Sequence, residues 1–273
     1  MTLSTNGKYL ILTGYDGALG TASIASSSTP GVPRVVGRID ANGNVDTTTA
    51  LVDADLGGNN IRSAASTDGI NIWIGSAVSG ANFTTLGSTS ALQLSTTTTN
   101  LRQAEVYGSQ LYVSTGSGSA FRIGTVGTGL PTTAGQTISS PMGLPTSGGS
   151  PYAFFYTTLG AGPGFDTLYV ADDSGSAPGG VTKYSLSGGT WSAKGTVGTA
   201  SDSYRGLTGV VNGTTVTLYS TRKGGNGAAG GGEFVTLVDA SGAGGTFTGS
   251  EPTALATAAA NTSFRGIAFA PQP

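Results

Sequence analysis

The sequence contains no cysteine and no histidine. The first absence excludes disulfides, thiol nucleophiles and thiolate metal sites. The second removes the commonest general base and the commonest zinc ligand. Charge is scarce as well: 10% of residues are charged, against roughly 25% in an average globular chain. The net charge of -2 gives no basic field for nucleic acid and no strong acidic one. No apolar run approaches the roughly 20 residues of a membrane helix; the longest, around Tyr152 to Tyr156, is strand-sized. Helical periodicity is nearly missing too. The Ala-rich stretch Ala254 to Ala260 is broken by Thr257 and carries no apolar stripe of period 3.6.

What fills the chain instead is Gly, Ser, Thr and Ala, so its surface is solvated by hydroxyls and backbone rather than by ions. Short β-branched or aromatic runs recur: Tyr9-Leu10-Ile11-Leu12, Ile70-Asn71-Ile72-Trp73-Ile74, Gln110-Leu111-Tyr112-Val113, Thr167-Leu168-Tyr169-Val170 and Val216-Thr217-Leu218-Tyr219. Each is bounded by Gly, Asn, Asp or Ser, which reads as a strand. Asn6-Gly7, Asp68-Gly69 and Asn212-Gly213 each precede such a strand, and Asn42-Gly43 lies within Arg38 to Asp46. Asx-Gly suits a tight hairpin in which both turn residues take φ > 0.

Stacking these hairpins exposes a repeat. An anchor segment precedes each turn: Ile61-Arg62-Ser63-Ala64, Leu101-Arg102-Gln103-Ala104, Tyr204-Arg205-Gly206-Leu207 and Phe264-Arg265-Gly266-Ile267. Pro141-Met142-Gly143-Leu144 is a degenerate copy with Met142 in the Arg position. The anchors fall at 62, 102, 142, 205 and 265, with inserts near Ser150 to Phe165 and at Gly224 to Gly232. Four strands per roughly 40–50 residues is the period of a propeller blade. The expected fold is therefore an all-β single domain over residues 1–273: a β-propeller of five four-stranded blades closed by N- and C-terminal strands. In that closure Phe264 to Ala270 pairs with Lys8 to Thr13, which leaves fewer open sheet edges. Six blades is the alternative, if the fourth unit divides.

Lys8 to Asp16, Arg122 to Pro131, Asp166 to Asp173 and Tyr204 to Val211 resemble an uncharacterised group of exported bacterial β-propeller repeat proteins. The resemblance covers nearly the whole chain and implies a propeller and export, to the medium or the cell surface, but no activity. Members of that group extend further at the N-terminus, so a shortened or engineered form is expected here. No signal peptide follows Met1.

The recurrent arginines are the leading candidate site. If their position faces a central channel, Arg62, Arg102, Arg205 and Arg265 would ring one mouth and hold a carboxylate, phosphate or sulfate through forked hydrogen bonds. The plainer reading gives each a carbonyl or carboxylate of the next blade. Asp40, Asn42, Asn44 and Asp46 place oxygens at alternate positions, as calcium loops do, with Asp53 and Asp55 nearby. The plainer reading there is a hairpin whose Asx side chains bond their own backbone. Asp172 and Asp173 are consecutive in a strand and point to opposite faces, which argues against a shared acid/base site. The Gly-rich run after Arg222-Lys223 lacks the phosphate-loop order and reads as a surface loop. Asn82, Asn212 and Asn261 begin glycosylation sequons. Trp73 is expected between blades and Trp191 on the surface.

Function follows as two expectations. The first is a non-catalytic exported propeller, a monomer without cofactor, that binds a small anion, glycan or protein at the channel mouth or serves as a structural or surface module. The second is a propeller hydrolase or lyase acting on a sugar or lactone with calcium in the channel; it needs carboxylates that converge.

Overall fold

The computed structural model describes residues 1–176, 179–223, 232–260 and 262–273. Among them lie twenty strands in five four-stranded antiparallel sheets, the five blades of a β-propeller, with helix confined to two short 3-10 turns. Blade one holds β1 (Thr2–Leu3), β2 (Tyr9–Tyr15), β3 (Arg34–Asp40) and β4 (Val45–Leu51). Blade two holds β5 (Ile61–Ser66), β6 (Asn71–Ser76), β7 (Ala81–Thr85) and β8 (Leu92–Ser95). Blade three holds β9 (Ala104–Tyr107), β10 (Gln110–Ser114), β11 (Ile123–Val126) and β12 (Ile138–Ser139). Blade four holds β13 (Pro151–Thr157), β14 (Thr167–Asp172), β15 (Gly180–Ser187) and β16 (Thr190–Val197). Blade five holds β17 (Leu207–Asn212), β18 (Thr215–Arg222), β19 (Glu233–Asp239) and β20 (Ala256–Thr257). The expected five-blade fold is what the structure has. No described helix is long and apolar enough to cross a membrane.

The chain forms two compact units. Met1–Ser139 with Ala268–Pro273 makes the first, and Ser140–Ile267 the second. In the first unit β2 takes its inner neighbour from the N-terminus, pairing Thr2 with Ile11 and Leu3 with Leu10. The reason is in the residues: Thr2-Leu3-Ser4-Thr5-Asn6-Gly7 occupies the same place before its strand as Ala64-Ala65-Ser66-Thr67-Asp68-Gly69. That strand position is filled, so Phe264 to Ala270 forms no strand. The carboxy-terminal segment instead reaches blade one through the Gln272 N–H, which donates to the Gly7 carbonyl at 2.7 Å.

One anchor is misplaced by sequence. Pro141 to Leu144 is a turn closed by Leu144 N–H to the Pro141 carbonyl, with Gly143 at φ 90. The innermost strand of blade four is β13, which sequence had read as part of an insert. The turns also differ in type. At Asn6-Gly7, Asn42-Gly43 and Asp68-Gly69 only the glycine has φ > 0. At the first two the hydrogen bond closes on that glycine, Gly7 N–H to Ser4 and Gly43 N–H to Asp40. That is a type I turn followed by a left-handed residue, the other common hairpin solution. The Asx residue accepts amide bonds instead of adopting φ > 0: Asp68 Oδ1 accepts from Ile70 and Asn71, and Asn6 Oδ1 from Lys8.

The cores lie between adjacent blades. Ile11, Val36 and Leu51 of blade one meet Ile61, Ile72 and Ile74 of blade two. Trp73 of blade two packs with Leu111, Val113 and Val126 of blade three, and its indole N–H donates to the Pro131 carbonyl at 2.8 Å. In the second unit Tyr169, Val181 and Val197 of blade four meet Leu207, Val216 and Leu237 of blade five. Trp191, expected on the surface, is buried at 7% exposure, with its ring 5.6 Å from that of Tyr156.

Two buried cations brace these cores. Arg34 is fully buried. Its guanidinium donates to Ser27 Oγ and to the carbonyls of Val32, Ser27, Ala25 and Asn59, which ties the connection between β2 and β3 down over the Tyr15 ring. Lys183 in β15 is fully buried and meets Asp239 Oδ2, at the end of β19, at 2.7 Å. Lys183 also donates to Ser241 Oγ and the Gly242 carbonyl. Tyr169 O–H donates to the same Asp239 oxygen at 2.6 Å, while Ser241 N–H and O–H serve the other.

Burial alone would raise the Asp239 pKa, but the bonds from Lys183, Ser241 and Tyr169 carry it below its ordinary 3.8. Removing one partner of a buried pair costs about 3–5 kcal/mol, while replacing both with apolar groups is often neutral. Lys183→Met should therefore lose about that much stability, and Lys183→Met with Asp239→Leu should recover most of it. A carboxylate with a depressed folded pKa stabilises above its unfolded value and stops doing so as pH falls through the folded one. Urea midpoints of the parent should drop below about pH 4, and this component should vanish in the double variant.

Candidate functional site

Three of the four anchor arginines share one local device. In blade two the strand slips by a residue between Ile61 and Ser63, so Arg62 sits in a β-bulge. In blade three Arg102 N–H donates to the Ser114 carbonyl while Ser114 N–H donates to Gln103, and in blade five Arg205, Thr221 and Gly206 repeat that pattern. A bulge re-aims its side chain out of the sheet. Arg62 and Arg102 belong to the first unit, Arg205 and Arg265 to the second. Arg205 Nε donates to Asp173 at 3.0 Å and its guanidinium lies over the Tyr152 ring. Arg265 is exposed, with Nε on Ser263 Oγ, and its carbonyl accepts from Thr221 Oγ1.

The Asp40 to Asp46 turn uses its oxygens internally. Asp40 Oδ1 accepts the amides of Asn42 and Asn44, and Oδ2 the Asn44 side chain. Asp46 accepts from Thr48 and from Arg38. Asp172 and Asp173 diverge as expected: Asp172 accepts the amides of Ser150 and Ser174, Asp173 the Arg205 guanidinium. Asn82 is buried and bonded to Ser79 and Gly80, so that sequon offers no exposed amide. Asn261 and most of the Gly224 to Gly232 run lie outside the described residues.

The second unit gathers charged groups at one end of blade five. Arg222, the last residue of β18, donates through Nε and Nη2 to Glu233 and through Nη2 to the Pro252 carbonyl. Its Nη1 donates to Glu251 and to the hydroxyl of buried Tyr204. Burial works against the guanidinium charge, but the bonds to Glu233 and Tyr204 prevail and Arg222 holds its proton above its ordinary value. Asp202 is fixed by Thr199, whose amide and hydroxyl both reach Oδ2. The Asp202 carboxyl is one of the groups that act on Glu251. Glu251 is 41% exposed; partial desolvation first, then the interaction with Asp202 and its negative charge, push its pKa above 4.5 against the pull of Arg222 and Tyr204.

Gly198 makes room for Tyr204 and Glu251. Its φ is 96, and a methyl there would meet Tyr204 Cε2 at 2.7 Å and Glu251 Oε1 at 3.4 Å. Arg222, the partner of Glu251, also lines an open indentation with Ser203, Arg205, Thr221, Lys223 and Phe264. Three of these residues are basic and none is acidic. Sequence reasoning found Arg205 by repetition but missed Asp202, Tyr204 and Glu251. The only signal for Glu251 was scarcity, since it is one of three glutamates.

No family model and no curated protein matches this chain. Solved structures do. The periplasmic gluconolactonase of Pseudomonas aeruginosa aligns over 92% of this chain and 72% of its own, with a TM-score of 0.51 at 13% identity. A proposed 6-phosphogluconolactonase of Bacteroides fragilis aligns over 93% and 69%, with a TM-score of 0.55 at 11% identity. The likeness is one of fold. It nonetheless corrects the first functional expectation: these propellers are named as lactone hydrolases, and the enzymatic alternative accounts for them where a non-catalytic module does not.

The local chemistry can be checked directly. The Glu251 carboxyl should titrate above 4.5 when followed by carbon NMR. In Asp202→Asn, which removes the neighbouring charge, its midpoint should fall. An unchanged midpoint would assign the whole shift to burial.

Proposed function

We propose that this chain hydrolyses a sugar lactone at the end of blade five. The observation that carries the reading is Glu251: a carboxyl, 41% exposed, whose proton affinity is raised by partial desolvation and by Asp202, bonded to the Arg222 that lines a cationic indentation on a fold shared with named lactonases. A carboxylate with a raised pKa is a stronger base at neutral pH than an ordinary one. In the proposed step, ionised Glu251 takes a proton from water as the oxygen attacks the lactone carbonyl carbon. The carbonyl oxygen becomes an oxyanion beside the Arg205 guanidinium, whose terminal nitrogens have no acceptor among the described residues; such donors favour developing negative charge. The ring C–O bond then breaks, and the proton held by Glu251 passes to the leaving alkoxide, giving the hydroxy acid. Arg222 and Asp202 are positioning residues, since their hydrogen bonds hold and tune Glu251.

Calcium has no part in this reading. Among the described residues no three acidic side chains gather as ligands, and the Asp40 to Asp46 oxygens are taken up by their own turn.

Assays with glucono-1,5-lactone and other aldonolactones should show turnover above the spontaneous rate. General-base catalysis contributes about 10²–10⁴-fold, so Glu251→Gln should lower kcat by that order. The base acts when ionised, so kcat/KM should rise with pH through the raised Glu251 pKa. Absence of turnover across the lactones, or a Glu251→Gln variant as fast as the parent, would overturn the proposal.

A further inference from the structure

We infer that the blade-five indentation binds an oxyanion group, carboxylate or phosphate, carried by the substrate, and that Lys223 and Ser203 are the residues that select it. As a statement about a substrate this rests on the proposed lactone hydrolysis; as a statement about an anion site it stands alone. Thr221 Oγ1 already accepts from Gly206 and donates to the Arg265 carbonyl. Arg222 is engaged by Glu233, Glu251, Tyr204 and Pro252. Two lining side chains remain without a protein acceptor among the described residues: the Ser203 hydroxyl and the Lys223 ammonium.

The backbone holds these two together. Lys223 N–H donates to the Asp202 carbonyl at 2.6 Å, and the Lys223 carbonyl accepts from Gly232 at 3.1 Å. Ser203 directly follows Asp202 and has φ 50, one of three non-glycine residues with positive φ among those described. A left-handed serine costs free energy and persists where the surrounding structure imposes it. Nearby carboxylates do not neutralise the ammonium: Asp202 is held by Thr199, Asp173 by Arg205 and Glu233 by Arg222. A hydroxyl and an ammonium side by side, next to a guanidinium, match the oxygens of an anionic group. A neutral lactone carbonyl would use Arg205 alone.

Calorimetry with inorganic phosphate and with malonate separates the two sources of the charge, and both should weaken with added salt. Hydrogen bonds to charged groups are worth about 1.5–3 kcal/mol, and each 1.4 kcal/mol is about tenfold. Lys223→Gln should therefore weaken the preferred anion about tenfold or more. It should raise KM for a lactone bearing that group similarly, and leave a neutral lactone within about twofold. Ser203→Gly tolerates the positive φ, so it should raise Tm while weakening anion binding, a combination that a purely structural serine would not give. Anion binding without lactone turnover would sink the hydrolase reading and leave this one standing. Equal turnover of neutral and anionic lactones, with Lys223→Gln silent and neither anion bound, would overturn this one alone.

Discussion

An ammonium enclosed by protein needs acceptors for all its protons, and Lys183 finds them in Asp239, Ser241 and Gly242. That requirement fixes the end of β19 against the middle of β15, so blades four and five can meet in one register only. Asp239 is tied in turn to Tyr169, whose ring packs edge-on against Phe247 5.6 Å away. The apolar core of the second unit is thus assembled around a satisfied charge pair. The pair adds specificity more than net stability, because the desolvation of two ions offsets much of their attraction. Arg34 plays the matching part in the first unit, where four carbonyls and the Ser27 hydroxyl take its terminal N–H groups above the Tyr15 ring.

The same requirement explains the composition. With few ions available, hydroxyls satisfy the backbone where the ladders break. Ser63 Oγ accepts the Ala104 amide across two blades, Ser66 Oγ accepts from Gly69 and donates to the Asn71 carbonyl, and Thr221 Oγ1 accepts the Gly206 amide at the bulge. Buried polar groups left unpaired would each cost on the order of 1–3 kcal/mol. A short side chain that both donates and accepts suits a bulge or turn, where one amide and one carbonyl are left over together.

What sequence could reveal follows from the range of each interaction. Strands and hairpins are local, so alternation and Asx-Gly pairs located most of them, and five blades followed from the period. The anchor at Met142 failed because string similarity outweighed backbone chemistry: Gly143 at positive φ and the Pro141 to Leu144 hydrogen bond make a turn. Trp191 looked exposed beside two glycines, yet its ring is enclosed by Tyr156 across the sheet, a neighbour that no local pattern reports. Lys183 with Asp239 and Asp202 with Glu251 lie farther apart still. Neither pair has a spacing or a repeat to mark it, because the contact is made by blades and loops that meet only in the folded chain.

The contrast between Asp40 and Glu251 shows why residue type alone did not locate the chemistry. Asp40 sits in the most motif-like acidic stretch of the chain, but its turn surrounds it with donors, Asn44 first, and its pKa falls. A carboxylate so held is a poor base and has few oxygens left for a metal. Glu251 stands in no motif. Partial desolvation and the neighbouring Asp202 hold its proton affinity up, while Arg222 keeps it in place. Opposite environments give similar side chains opposite proton affinities, and it is the environment that identifies an acid/base group. The repeated bulge supplies Arg205, which lines the basic indentation together with Arg222, the partner of Glu251. At the candidate site the repeat and an irregular loop meet: the repeat delivers the cation, and the loop delivers the carboxyl pair.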